Sequence, residues 1–360
     1  YDLSVGGDGK FIDGNVSVGG EGARDEIACW EHALLKRLQQ SHTQLLAAST
    51  QLLYHAMDES EGRSAQLVQI AEDGVCNACG VRLSALPLTN EQQQHMCDTL
   101  LTLAKGKNNR ADLGRFRAWV TQRGYRYIID GANVGYRNQN FSGGRFSFLQ
   151  LELAIDELAC RADGPPPLLV IPKAYLDLQT IPNHSRHNDQ NTGQVHAVEP
   201  HEMASIGRLL KRGHLWACPP QAHDDLYWIL ATVVGGADSR VVTNDEMRDH
   251  FFSMLNPFFF ERWKARHMVH FDFSHGAAAD RPPPSMTLTF PPSFSREIQH
   301  CASGWHFPSS GYVSTAEHGG GGGDWLCVRE CNGSVGDLVD HSAHHRLSGA
   351  KRRKARAACA

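Results

Sequence analysis

No stretch of the chain approaches the roughly 20 consecutive apolar residues that a bilayer-crossing helix requires, so the sequence offers no candidate membrane span. Net positive charge is absent as well: 35 Lys and Arg are set against 39 Asp and Glu, a formal charge of −4. A nucleic-acid partner would have to be held by local basic clusters and not by a general field. Cysteine, at 10 in 360 residues, is too sparse for a disulfide scaffold, and only one pair shows Cys-x-x-Cys spacing. That usage suits an intracellular protein with mostly free thiols and one metal site. No internal repeat is visible, in residues 1–70 or elsewhere. The first residue is Tyr1 and not Met, so a signal or transit sequence is neither assigned nor excluded.

What is present is ordinary globular composition, 41% hydrophobic and 21% charged, in a chain long enough for two or three domains. Residues 1–24 are Gly-rich and read as a flexible segment. Over 25–57 the apolar residues Ile27, Trp30, Leu34, Leu38, Leu45 and Leu52 recur at helical spacing, predicting one long helix or a helical pair within a helical segment 25–72. Helices are expected over 90–105 and 113–123. The block 125–273 alternates strands (125–129, 168–171, 214–218, 240–243, 268–273) with helices (148–160, 201–212, 224–234, 245–255). That alternation predicts an α/β fold, a mainly parallel sheet with helices on both faces. A polar stretch, 175–198, reads as a long loop. Beyond residue 273 come a Pro-rich turn, two short strands in MTLTF and REIQH, and a Gly run at 319–323. Residues 333–360 form a basic tail containing KRRKAR.

Four aspartates fall where strands end or helices begin. Asp130 closes the apolar run of YRYIIDGANVG, Asp224 and Asp225 head DDLYWILATVV, and Asp245 closes SRVVTND. One such Asp is most often a helix cap or turn former. Four in one domain, one within Asp-Gly-Ala-Asn, favour a shared role. In open α/β sheets, sites gather at the carboxyl ends of the strands. Clustered carboxylates repel and are commonly held by a hard cation such as Mg2+, completed by water and substrate phosphates. The pattern points to a metal-dependent phosphodiesterase. Asn133 and Asn244 stand beside the motif aspartates as outer-sphere candidates, whereas Asp249 is expected to pair with a neighbouring base. The clusters around Arg208 and Arg262 are expected to contact phosphates.

Cys76 and Cys79, in a Cys-x-x-Cys-Gly turn, can take two corners of a zinc tetrahedron. Further ligands must come from far along the chain, and His306 in GWHFP and Cys327 in DWLCV are the best placed, giving a closed, structural Cys3His set. Cys301, Cys331 and His300 are rivals for the fourth position.

The ordered set EDGVCNACG, FRAWV, YRYIIDGANVGYRNQNF, SGGRFSFLQLE, DDLYW, VVTNDEMRDHFF, RWKARH, GWHFP and WLCV, spanning residues 73–327, resembles the protein-only ribonuclease P family. The resemblance implies an NYN/PIN-like metallonuclease that removes the 5′ leader of precursor tRNA by two-metal-ion hydrolysis, leaving a 5′-phosphate. It implies Asp130, Asp224, Asp225 and Asp245 as catalytic ligands of Mg2+, with Mn2+ able to substitute. Cys76, Cys79, His306 and Cys327 would hold one structural Zn2+. It further implies a nuclease domain at 125–273 and a zinc-binding central module from 73–124 with 274–332. A pentatricopeptide-repeat array is expected in such proteins, but no repeat is visible upstream of Cys76. Precursor tRNA is the expected partner, for a monomer with no catalytic RNA subunit and no membrane, in an organelle (mitochondrion or chloroplast) or the nucleus. The alternatives are an NYN/PIN-type endonuclease acting on another RNA and a non-catalytic RNA-binding subunit.

Overall fold

The computed structural model describes residues 20–59, 62–141, 143–161, 164–183, 194–248, 253–278, 281–314 and 322–330. The Gly-rich start up to residue 19 and the basic tail lie outside them. The helical spacing over 25–57 becomes two helices, α1 (Gly20–Ser41) and α2 (Ala47–Asp58). They break where Leu45 turns its backbone to another element, its N–H donating to the Pro308 carbonyl at 2.9 Å. Strand β1 (Arg63–Val68) and the Cys-x-x-Cys turn lead to α3 (Asn90–Leu103) and α4 (Lys107–Thr121). Helix α3 begins at a reciprocal capping box between Thr89 and Gln92.

The alternating block follows: β2 (Tyr127–Asp130), α5 (Gly131–Tyr136), α6 (Phe148–Ala159) and β3 (Leu168–Pro172). Then come β4 (Thr180–Asn183), β5 (Gln194–Ala197), α7 (Pro200–Arg212), β6 (Leu215–Cys218) and α8 (Asp224–Gly235). It closes with β7 (Arg240–Val242), α9 (Pro257–His267) and β8 (Met268–Phe273), after which β9 (Met286–Thr289), β10 (Gln299–Cys301), β11 (Gly304–Ser314) and β12 (Gly322–Glu330) complete the described elements.

Six strands form one sheet in the order β6-β3-β2-β7-β8-β9, parallel except for β9. Both faces of its central strands are covered, which is why the YII of β2 and the LLVI of β3 are apolar without alternation, whereas edgeward β8 and β9 alternate. Ile128, Leu168, Val170 and Val241 face a core with α3, α4, α8 and α9. Tyr127, Ile129, Leu169, Ile171 and Val242 face the other core, with α5, α6 and α7. Helix α8 is buried from Leu226 to Val233 because it lies between the sheet and the α3–α4 pair. The chain steps outward from β2 to β3 and β6, then returns to the opposite side of β2 as β7. The topological switch therefore lies at β2, with a crevice at the carboxyl ends of β2 and β7.

A second, antiparallel sheet has the order β1-β12-β11-β10. Trp305, Phe307, Leu326 and Val328 point from it to a core shared with Leu35 of α1 and Met57 of α2.

Three expectations change. The helix expected over 245–255 is absent at 243–248, which has no regular structure, while 249–252 lies outside the described residues. Asp245 Oδ1 accepts the Met247 N–H at 2.8 Å, and Met247 sits at φ 52, a side-chain turn that competes with helix initiation. The loop expected over 175–198 carries the β4–β5 hairpin. The second short strand falls at Gln299–Cys301.

The imidazole of His267 is 3% exposed, with Nδ1 2.8 Å from the Ser239 carbonyl. Burial outweighs that bond and pushes its pKa from 6.5 down to about 4. A base kept neutral in the fold contributes stability that is present above its unfolded pKa and is lost as the pH falls through the folded value. The protein is expected to lose about 2 kcal/mol from this group between pH 7 and pH 5. Urea melts at both pH values check it, with His267→Gln expected to remove that part of the loss; equal losses in the two proteins would contradict it.

Candidate active site and metal centre

Asp130 is the last residue of β2 and caps α5, its Oδ1 accepting the Asn133 N–H at 3.1 Å. Gly131 is required beside it, since a Cβ there would lie 2.8 Å from the Val170 carbonyl oxygen on β3. Asp130 Oδ2 accepts from the Thr243 hydroxyl at 2.7 Å, and that hydroxyl accepts the Asp245 N–H at 3.0 Å. One hydroxyl thus ties the end of β2 to the turn after β7. The same turn is fixed again by Asn244, whose N–H donates to Asn133 Oδ1 at 3.0 Å and whose side chain bonds Phe271 in both directions. Asp224 and Asp225 are half-buried in the first turn of α8.

Asp130, Asp224 and Asp245 feel one another's charge. Burial, then the charge of Asp224, pushes Asp130 up to about 7, with Asp245 adding and the Thr243 and Asn133 bonds opposing. Burial also raises Asp224, with Asp245 adding. The thiol of Cys218, at the end of β6, is pushed well up by burial and by the fields of Asp224, Asp112, Asp130 and Asp225. A 3%-exposed carboxylate bonded to neutral donors and facing other carboxylates is an unfavourable arrangement that a hard divalent cation relieves. The donor set, all oxygen, fits Mg2+ or Mn2+.

The second cluster is tighter. Among the described residues, Cys76, Cys79, His306 and Cys327 form the one set of three or more such groups whose ligand atoms all lie within 4.8 Å of one another. His306 and Cys327 are direct cross-strand partners in the β11–β12 register, so the two-residue alternation that sends Trp305, Phe307, Leu326 and Val328 to one face sends these two to the other. The Cys76–Gly80 turn docks there, closed by Gly80 N–H to Cys76 O at 2.9 Å and permitted by Gly80 at φ 72. Cys79 Sγ lies 3.3 Å from His306 Nε2. A hydrogen bond from Cys327 outweighs burial and holds Cys76 down at about 3, while that same bond and burial push Cys327 up. Opposed shifts of this kind mark two sulfurs in close contact, and binding of a metal to such thiols releases their protons. Three thiolates and one imidazole, with Cys76 and His306 fully buried, can hold a zinc in a closed site of the structural kind.

Of the rivals, Cys301 stands 3.5 Å from His306 Nδ1, outside the quartet. His300 packs its ring on Trp305, centroids 4.5 Å apart, and Cys331 lies outside the described residues, as does Asp249. The arginines expected to meet phosphates are engaged within the fold: Arg208 with Glu152 at 2.7 Å, Arg212 with Asp156 at 2.7 Å, and Arg262 with Glu297 at 2.6 Å. Tyr227, Trp228 and Trp263 are core residues. The residue that sequence reasoning missed is Thr243. Its signal was a hydroxyl side chain at the end of a strand, two positions before a motif aspartate.

Fold and site together define an α/β protein with carboxylates at its topological switch and a separate Cys/His cluster of the kind that holds a metal. The chain belongs to the protein-only RNase P family, whose model matches residues 70–327. It is 31% identical over 270 residues to Proteinaceous RNase P 3 of Arabidopsis thaliana, a match covering 72% of this chain and 41% of that protein. It is also 31% identical over 269 residues to Proteinaceous RNase P 2 of the same plant, covering 72% and 45%. The crystal structure of nuclear proteinaceous RNase P 2 from A. thaliana has the same fold, with a TM-score of 0.63 at 24% identity, covering 86% of this chain and 64% of that one. The chain spans less than half the length of those two curated relatives.

Proposed function

We propose that this protein is an endoribonuclease that removes the 5′ leader of precursor tRNA by metal-dependent hydrolysis, leaving a 5′-phosphate on the tRNA. The observation that carries the proposal is the gathering of Asp130, Asp224 and Asp245, from three separate segments, at the sheet's topological switch in a chain of this family. Asp225 is added as the neighbour of Asp224. Asp130, Asp224, Asp225 and Asp245 would hold two divalent cations, Mg2+ or Mn2+, which when bound would supply an activated water and neutralise the charge on the leaving oxygen. The chain's own part is to hold the carboxylates: Thr243 fixes Asp130 and Asp245 relative to each other, and Asn133 with Asn244 locks the two loops that carry them. No side chain is assigned as general base.

Cys76, Cys79, His306 and Cys327 would hold a zinc, which would join the segment before the nuclease block to the segment after it. In domain terms the antiparallel sheet, the Cys-x-x-Cys turn, α1 and α2 form one unit. Helices α3 and α4 share the core of the six-stranded sheet and go with the nuclease. The protein works as a monomer on precursor tRNA without an RNA subunit. Its place is an organelle or the nucleus, the compartments named for its relatives Proteinaceous RNase P 1, chloroplastic/mitochondrial, and nuclear Proteinaceous RNase P 2.

Incubation with a 5′-extended precursor tRNA and Mg2+, followed by mapping of the new end, tests the proposal. A single cut at the mature 5′ end, with phosphate on the tRNA side, is expected. Cuts scattered through other RNAs would favour the NYN/PIN-type alternative, and binding without any cut would favour the non-catalytic one.

A further inference from the structure

A fifth sulfur lies beside the Cys/His quartet. Cys301 ends β10, opposite Gly304 in the β10–β11 register. Its Sγ is 3.5 Å from His306 Nδ1, 3.3 Å from Ser303 Oγ and 3.3 Å from the Gly304 carbonyl oxygen. The other ring nitrogen of His306, Nε2, faces Cys79 Sγ at 3.3 Å. A neutral imidazole gives a metal only the nitrogen that lacks a proton, so the partner of the second nitrogen selects the ligating one. The Gly304 carbonyl can only accept, so it takes the Cys301 S–H and leaves sulfur lone pairs toward Nδ1–H.

We propose that Cys301 is a positioning residue for His306, whose sulfur locks the ring in the tautomer and orientation presenting Nε2 to the quartet, and that it is not itself a ligand. The proposal rests on the zinc assignment above. Histidine ligands are commonly held through their second nitrogen by a carboxylate or a backbone carbonyl. Here the Cys301 sulfur stands in that place.

The test is zinc affinity of the full chain, measured by competition with a chromophoric chelator, together with the thiolate-to-metal charge-transfer band of the Co2+ form. Cys301→Ala is expected to bind one zinc about 10–100-fold more weakly, with the band of three thiolates at full strength. Cys301→Ser, whose hydroxyl can donate to Gly304 and accept from Nδ1, is expected to recover most of that affinity with the same band. Wild-type affinity in Cys301→Ala would overturn the proposal, as would loss of one thiolate's share of the band in either variant. Should Cys301→Ala not fold, the serine variant decides alone: near-wild-type affinity with a full band supports the proposal, and weakened binding or a diminished band overturns it. Wild-type protein that takes up neither zinc nor cobalt would instead sink the zinc assignment itself.

Discussion

Asp224→Asn is expected to cut single-turnover cleavage of precursor tRNA by about a thousandfold or more, because removing a cation-holding charge forfeits several kcal/mol of transition-state stabilisation. The substitution keeps the shape of the side chain, so binding of the tRNA should change little. Stability should move the opposite way to activity. Burial and the neighbouring Asp245 raise the Asp224 pKa, so the ionised form is disfavoured in the fold. Replacing it with a neutral amide removes that penalty, and the melting temperature without divalent ions should hold or rise. Asp225→Asn is expected to share the loss of cleavage. Turnover within about tenfold of wild type for both variants would remove these residues from the cation-binding set. A variant that lost activity only because it had unfolded would show itself in the melting temperature.

Cys79→Ala is expected to lower zinc content and melting temperature together, by more than about 3 kcal/mol or roughly 10 °C. The size of the effect follows from connectivity. Cys76 and Cys79 precede the nuclease block, whereas His306 and Cys327 follow it on paired strands. Loss of the metal therefore releases the turn from the sheet and leaves a buried imidazole and two thiols without their common partner. Elemental analysis and thermal melting, run on the same preparations, check it. An unchanged melting temperature in protein free of zinc would show that the hydrophobic contacts of Val68, Leu83 and Trp325 hold the turn without a metal.

The parts of this architecture that were legible in the sequence share a physical cause. Strands buried on both faces read as short apolar runs, and each of the two central ones gives way to polar residues where it meets the crevice. Asp130 and Asp245 thus stand out at the ends of YIID and RVVTND. His306 and Cys327 stood out as candidate ligands because each lies near a Trp at the edge of an expected strand, while their pairing across β11 and β12 is seen only in the structure. What sequence did not convey is long-range or a competition between near-equal local choices. The residues after Asp245 have helical spacing, yet the Asp245 carboxylate captures the Met247 N–H and turns the chain instead. The Arg208 and Arg262 clusters read as free positive charge because their partners, Glu152 and Glu297, lie 56 and 35 residues away. No periodicity reports an ion pair at that separation. Cys301 was legible as a possible ligand, but only the β10–β11 hairpin shows that it meets the far nitrogen of His306.

The central claim is that Asp130, Asp224, Asp225 and Asp245 form one divalent-cation site. Mn2+ binding, followed by the free-ion electron paramagnetic resonance signal in zinc-loaded wild type and in Asp130→Asn, tests it most directly. The account predicts saturable uptake in wild type that Mg2+ displaces, and its loss or marked weakening in the variant. Equal Mn2+ uptake by the two proteins would contradict it.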